Sequence, residues 1–406
     1  MTAVDPVMQP DSPLLIRVSG ADRPRLTRDL LALLGNAGAV VEDMEQLVVR
    51  ERLTLDVLVR LGGAADRVVR DVLFWGFTHD LKVDFERVET HSKRALLQRH
   101  AVTVLGQSLS PQTLAAVADA VAETGGNIDR IVRLATQPVV AYDFVVIAGD
   151  ADAMRRSLVE VAHAHSVDIA VQVNGLERRA KRLVVMDVDS TLIRDEVIEL
   201  LADEAGCNAE VAAITARAMA GELDFEGSLR ERVRLLKGLD GAAIERARSR
   251  IRLTPGARTF VSTLKRLGFA VAVVSGGFTV FTDRLRTDLF LDHAYANTLE
   301  MVDGVVTGEV VGPIVDRAGK ARLLSEIAAA EHVPLSQTVA VGDGANDLDM
   351  LAAAGLGIAF NAKPVVKQQA DTTVSVPYLD AILFMLGIRG SDVDREAEET
   401  VPPARP

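Results

Sequence analysis

LVVMDVDSTLIRDE, Leu183 to Glu196, is the stretch that decides how this chain is read. Its first four residues are purely apolar, the mark of a strand buried on both faces. Asp187 and Asp189 follow at once, and Ser190 and Thr191 come next. A buried strand that runs into two neighbouring like charges needs something to neutralise them. At the C-terminal edge of a parallel sheet, where ligands collect, a divalent cation would do so, and hard carboxylate oxygens suit Mg²⁺.

Further along, the pattern repeats. TVAV (338–341) leads into GDGAND (342–347), again an apolar strand, an acidic loop and a helix. Asp343 and Asp347 are thereby placed to approach the first pair across the sheet edge. One such pair is weak evidence, since loops are rich in aspartate, but two at strand ends carry weight. VVSGGF (273–278) sets Ser275 directly after a third strand, ahead of Gly276 and Gly277, which offers a hydroxyl and backbone N–H groups to an anion. Lys320, in DRAGK (316–320), opens another helix and can supply a positive charge.

Outward from this core, short apolar strands at 183–186, 269–274, 338–342 and 356–360 alternate with helices, the signature of an α/β doubly wound parallel sheet. Residues 197–250 interrupt it with helical patterns and read as an inserted helical cap. On the N-terminal side, the order strand, helix, strand, strand, helix, strand occurs twice, over 13–90 and 98–175, with Gly20 and Gly106 in equivalent strand-end positions. Two ferredoxin-like βαββαβ domains are expected. The stretch LERRAKR (176–182) reads as a solvated connector to a domain over 181–388. Residues 1–12 and the acidic, proline-bearing tail 390–406 are expected to be disordered.

Composition limits the function. The chain has 406 residues, 49% hydrophobic and 25% charged, as an ordinary globular protein has. Its 57 acidic against 45 basic residues give a net charge of −12, which argues against nucleic acid as the main partner. Cys207 is the single cysteine, so no internal disulfide is possible and the thiol reads as structural. No run of about 18 apolar residues marks a membrane span. The opening MTAVDPVMQPDSP lacks a basic-then-apolar leader pattern, so no membrane partner and a cytoplasmic location are expected.

DVDST (187–191), SGG (275–277), Lys320 and GDGAND (342–347), in this order and with a cap after the first, resemble the four motifs of the haloacid dehalogenase superfamily. Glu196 in RDEVIE (194–199), ELDFEGSLRERV (222–233) and TPGA (254–257) bring the resemblance closest to its phosphoserine phosphatases. The resemblance implies Asp187 as the nucleophile that forms an aspartyl-phosphate, and Asp189 as the acid and base. It implies Mg²⁺ held by Asp187, the Asp189 carbonyl and Asp343, with Asp347 and Asn346 in support. It implies Ser275, Gly276 and Lys320 on the phosphoryl oxygens, Glu196 on the substrate ammonium and Arg232 on its carboxylate. Arg230 and Arg234 lie close by, and family alignment, not spacing, selects Arg232. Met219 and Phe225 would close an apolar lid.

The tandem N-terminal domains resemble ACT domains, which bind amino acids. GADRPRL (20–26) is similar to the ACT loop, with Arg25 where a glycine is usual, and GQSLSP (106–111) lacks the aspartate. Gly20, Asp22 and Gly106 are the allosteric candidates, L-serine the expected effector, and a homodimer or higher homo-oligomer through the ACT domains the expected assembly. A fold kept for dimerisation alone competes with sensing. Phosphoserine is the implied substrate, and hydrolysis to serine, the last step of serine biosynthesis, the implied reaction. The alternatives are the same chemistry on another phospho-amino acid or on phosphoproteins, and a catalytically dead amino-acid sensor.

Overall fold

The structure, a computed structural model, describes residues 13–62, 65–88, 98–147, 150–175, 178 and 180–393. It divides into two compact units, Met1–Leu96 and Leu97–Pro406.

In the first unit β1 (Leu14–Ala21), β2 (Val40–Val49), β3 (Arg52–Arg60) and β4 (Lys82–Arg87) form an antiparallel sheet in the order β2-β3-β1-β4. Alternation decides its inner face. Leu53, Leu55, Val57 and Val59 on β3 and Ile16 and Val18 on β1 point at the helices. Helix α1 (Leu26–Asn36) answers with Leu26, Leu30 and Leu34, and α2 (Ala65–Thr78) with Val68, Val72 and Trp75. Each such aliphatic side chain contributes about 1.5–3 kcal/mol on full burial. Arg25 enters α1 in the left-handed region, at φ 80°, which is why glycine suits this position and a bulkier residue is strained there. Gly20 has a packing reason that the sequence did not reveal. It is buried within β1 against the Leu81 side chain, which a Cβ at this position would have to displace.

The second unit begins with the same topology. Strands β5 (Arg99–Gly106), β6 (Asn127–Ala135), β7 (Val140–Ile147) and β8 (Asp168–Val173) pair in the order β6-β7-β5-β8. Helices α3 (Pro111–Glu123) and α4 (Ala151–His165) start at N-caps Ser110 and Asp150, whose side chains accept from Thr113 N and from Asp152 N and Ala153 N. The other face of this sheet is not solvated. Leu105, Ala141 and Ala170 share one core with Leu379–Leu386 of the C-terminal part. Polar clasps close the seam. The Asp168 carboxylate accepts from Thr373 Oγ1 at 3.0 Å and Ser375 N at 2.7 Å, and Gln172 Nε2 donates to Met385 O at 2.8 Å.

The connector departs from expectation. Leu176, Glu177 and Arg179 lie outside the described residues, but Arg178 is buried rather than solvated. Its guanidinium grips Asp143 at 2.9 and 3.0 Å and donates to Thr103 Oγ1 at 2.9 Å. It therefore fastens the connector to the second ferredoxin-like sheet.

Beyond it, seven strands form one sheet in the order β12-β11-β10-β9-β13-β14-β15. The centre is β9 (Leu183–Met186), wholly buried, with β10 (Ala270–Phe278) and β13 (Thr338–Gly342) parallel on either side. On the outside lie β14 (Gly357–Phe360) and β15 (Thr372–Val374). The cap consists of α5 (Val197–Ala205), α6 (Asn208–Met219), α7 (Phe225–Arg234) and α8 (Gly241–Ser249). Helices α9 (Ala257–Arg266), α10 (Thr279–Leu289), α11 (Arg317–Ala330), α12 (Leu348–Ala353), α13 (Pro364–Lys367) and α14 (Ile382–Met385) complete the domain.

Three strands escaped the sequence reading. β11 (His293–Val302) and β12 (Val305–Val311) make a hairpin around Asp303-Gly304, both at positive φ, and β15 is only three residues long. The Asp-Gly signal between β-branched runs was available. The hairpin props the cap, through Gly238 N to Val306 O and Val306 N to Leu239 O. The tail, expected to be disordered from Gly390, is placed as far as Val393. Gly390 N bonds to Leu134 O and Val393 is buried. Residues 1–12 and 394–406 lie outside the described residues.

Candidate active site

Four segments converge at the C-terminal edge of the central strands. Asp187 N donates to Val341 O, which ties the end of β9 to β13. The chain then turns sharply, with Ser190 at φ 57°. That strained residue aims its Oγ at Glu196 Oε1, 2.8 Å away. The turn also returns the chain so that Val197 N, the first residue of α5, donates to Asp189 Oδ1 at 2.8 Å. Ser275 Oγ donates to Asp189 Oδ2 at 3.2 Å and accepts from Gly277 N at 2.8 Å. Asp189 is thus oriented from two sides.

Lys320 lies one turn into α11, whose N-cap Asp316 accepts from Gly319 N. Only 1% exposed, its Nζ sits 2.7 Å from Asp187 Oδ1 and 2.6 Å from Asp347 Oδ1. Asp347 in turn accepts Gly344 N, and Thr191 Oγ1 donates to Asp343 Oδ1. Carboxylate oxygens of Asp187, Asp343 and Asp347 all lie within 4.8 Å of one another.

Electrostatics here is dominated by burial. It raises Asp187 well above the ordinary carboxylate range, reinforced by the Asp347 charge and opposed by Lys320. It raises Asp189 to about 7, with Glu196 adding to the effect, and Asp343 to about 6, with Asp347 adding. Glu196 is raised by the same cause. Burial alone would lower Lys320, but Asp187 and Asp347 outweigh it and hold the ammonium above its ordinary value. Carboxylates converging with so little cationic compensation form an oxygen donor set that fits a hard divalent cation.

The residues open onto a cavity of about 480 Å³. Asp187, Asp189, Gly276, Asp343 and Asn346 line one side, and Glu196, Met219, Phe225 and Arg232 the cap side. Ser275, Lys320 and Asp347 lie buried just behind the wall. Phe225 is seated against Gly276, where a Cβ would stand 3.2 Å from the ring. Met219 reaches the mouth but stays 74% exposed, so it does not seal the cavity as the lid reading expected. Arg232 Nε donates to Ser228 O. By contrast Gly20, Asp22 and Gly106 belong to the ferredoxin-like domains and are not among the residues lining this cavity.

Some contributors were missed. Asn297, fully buried on β11, donates to Gly276 O and accepts from Val315 N, and so fixes the SGG segment from behind. Its only signal in the sequence was a polar residue inside a strand too weakly patterned to see. Gly277 is required because a Cβ would lie 2.6 Å from Val197 Cγ2 and 3.0 Å from Asp189 Oδ2. Lys363 and Val365 of the NAKPV segment also line the cavity.

Fold and site together define a haloacid dehalogenase-like hydrolase carrying two ACT domains. The family model described as haloacid dehalogenase-like hydrolase matches residues 184–352, and ACT domain models match 12–86 and 98–172. The phosphoserine phosphatase of Streptomyces coelicolor is 53% identical, over 96% of this chain and 95% of that protein. Phosphoserine phosphatase SerB2 of Mycobacterium tuberculosis is 45% identical, over 94% of each. A solved haloacid dehalogenase family hydrolase from Salmonella enterica serovar Typhi superposes with a TM-score of 0.63 at 31% identity, covering 71% of this chain and 98% of that one. The chain belongs to the phosphoserine phosphatase family.

Proposed function

We propose that this chain hydrolyses O-phospho-L-serine to L-serine and phosphate, the closing step of serine biosynthesis, with Mg²⁺ as its cofactor. One observation carries the reading. Glu196 and Arg232, charges of opposite sign, face the same cavity as Asp187 and the SGG segment. They suit the ammonium and carboxylate of an amino acid whose phosphate points at Asp187.

Lys320 occupies Asp187 Oδ1 and leaves Oδ2 to attack phosphorus. The P–O bond to the serine oxygen breaks as an aspartyl-phosphate forms. Asp189, held by Val197 N and Ser275 Oγ, delivers a proton to the departing oxygen. It then takes one from the water that hydrolyses the acyl-phosphate. Ser275, the Gly276 N–H and Lys320 hold the phosphoryl oxygens through transfer. A Mg²⁺ ion held by Asp187, the Asp189 carbonyl and Asp343, with Asp347 and Asn346 behind it, would offset charge on those oxygens.

The ACT domains support feedback by L-serine and assembly into at least a dimer. Edge strand β2 is exposed along its whole length, with Val40 62% and Leu47 60% exposed, and such an edge suits pairing with a second copy. Turnover of phosphoserine, phosphothreonine, a phosphopeptide and an aryl phosphate tests the substrate. Preference for a phosphopeptide, or no turnover at all, would overturn the reading. Serine titrations at several phosphoserine concentrations test feedback, since purely competitive inhibition leaves no role for an ACT site.

A further inference from the structure

A second and larger cavity, about 830 Å³, lies between the second ACT domain and the sheet end remote from Asp187. Helix α4 and strand β8 form one wall. The other is built from the residues that enter the central strands. Lys181 precedes β9, Ser336 precedes β13, and Gly355 and Leu356 precede β14. A cleft of this volume is of the size that accepts small organic ligands.

Its charge runs against that of the chain. Arg155, Arg156, Arg178, Lys181 and Lys367 line it, facing two carboxylates, Glu160 and Asp371. Behind the wall Asp143 answers Arg178, Asp152 answers Arg155 and Asp168 lies near Lys367, but on the lining itself the cations outnumber the carboxylates, in a protein of net charge −12. Lys181 is 5% exposed and donates to Ser336 O at 2.6 Å, while Lys367 donates to Ser375 Oγ at 2.6 Å. Arg156 is exposed and has neither hydrogen bond nor ion pair among the described residues.

A second, independent feature is a buried cation at the wall whose charge is incompletely satisfied. Arg178 is only 9% exposed, its Nη atoms are taken by Asp143 and Thr103, and its Nε is buried with no hydrogen-bond partner. A buried guanidinium N–H left unbonded is costly unless something accepts from it. The cleft also has an apolar wall, with Leu158, Val171 and Leu356, which a bare inorganic ion would leave unused.

We propose that this cleft binds a small organic polyanion. Its carboxylate or phosphate oxygens meet Arg156 and Lys367, and its carbon skeleton rests on Leu158 and Leu356. Helix α13 gives the site a neighbour of consequence. Its N-terminal flank, Lys363, and Val365 and Val366 line the catalytic cavity, and its last residue, Lys367, lines the cleft.

The test is calorimetric titration of the full chain, stripped of metal by passage over an immobilised chelating resin, in a buffer free of other polyanions. Without metal, the carboxylate-rich catalytic cavity repels anions. Citrate probes a carboxylate source and pyrophosphate a phosphate source. Saturable binding of either at one site per chain is expected, weakening as salt rises. Arg156→Glu and Lys367→Glu should each weaken it at least ~10-fold, with phosphoserine turnover in Mg²⁺ unchanged. Arg156 is exposed, so its substitution leaves the fold intact. Failure of both anions to bind saturably, or wild-type affinity in both variants, would overturn the proposal.

Discussion

Arg178→Met offers the sharpest test of how the second ACT domain is joined to the hydrolase domain. The substitution keeps an apolar stem of similar length and removes the guanidinium. Asp143, 8% exposed, is then left with Thr103 Oγ1 as its remaining donor at 2.8 Å, having lost contacts at 2.9 and 3.0 Å. Stripping one partner from a buried ion pair costs about 3–5 kcal/mol. A unit of this size loses ~1.5 °C of melting temperature per kcal/mol, so the transition of Leu97–Pro406 should fall by ~5–8 °C. Asp143→Asn in the same background removes the stranded charge yet can still accept from Thr103, and should restore most of the loss. Differential scanning calorimetry of the four members of this cycle gives the coupling. A loss below ~1 kcal/mol for Arg178→Met, or a double variant no better than the single, would refute the idea that this pair clasps the seam.

Other perturbations reach the catalytic cavity and the seam. Asp187→Asn should abolish turnover and the acid-stable, hydroxylamine-labile phosphoryl label on the protein; retention of either removes Asp187 as nucleophile. Arg232→Ala should lower kcat/KM for phosphoserine by ~10- to 100-fold while sparing an aryl phosphate, and equal losses would assign it to the fold instead. Gly277→Ala forces a methyl to within 2.6 Å of Val197 and 3.0 Å of the Asp189 carboxylate. A displacement near 1 Å there should cost ~100-fold in kcat, measurable at saturating substrate, and an unchanged kcat would show that the loop yields freely. Burial raises the folded pKa of Asp168 above its ordinary 3.8. The stability its neutral form contributes is therefore complete below that value and is lost as pH rises through the raised one. Urea midpoints of Asp168→Asn should lack this decline, and parallel pH profiles for variant and wild type would count against it.

Much of this was legible because the informative residues are local in sequence. DVDST, SGG, Lys320 and GDGAND each sit at a strand end or helix start that apolar periodicity alone locates, and the sheet brings them together without further instruction. What escaped depends on tertiary partners. Asn297 matters only because β11 passes behind Gly276, and the hairpin that carries it alternates too weakly to announce itself. Arg178 looks like one more charge in a basic run until Asp143, thirty-five positions earlier, is seen beneath it. The glycine at position 20 packs against the Leu81 side chain, sixty-one positions later, a contact its local sequence does not announce.

A quieter signal lay in the two ACT sheets. On β1 and β3 the residues facing away from the helices include Arg17, Thr54 and Asp56, while the same face of β5, β7 and β8 includes Leu105, Ala141 and Ala170 beside the Thr103–Asp143 pair that Arg178 covers. The first set belongs to water. The second set, mostly apolar, belongs against something flat and greasy, and Leu379–Leu386 is what it meets. For anyone trimming this protein, the natural cut is therefore not at the connector, where the familiar hydrolase motifs begin. A fragment starting at Lys181 would present that apolar C-terminal surface to solvent and is expected to aggregate. One starting near Leu97 keeps it covered, and serine titrations on it and on the full chain would test whether the first ACT domain takes part in the proposed feedback.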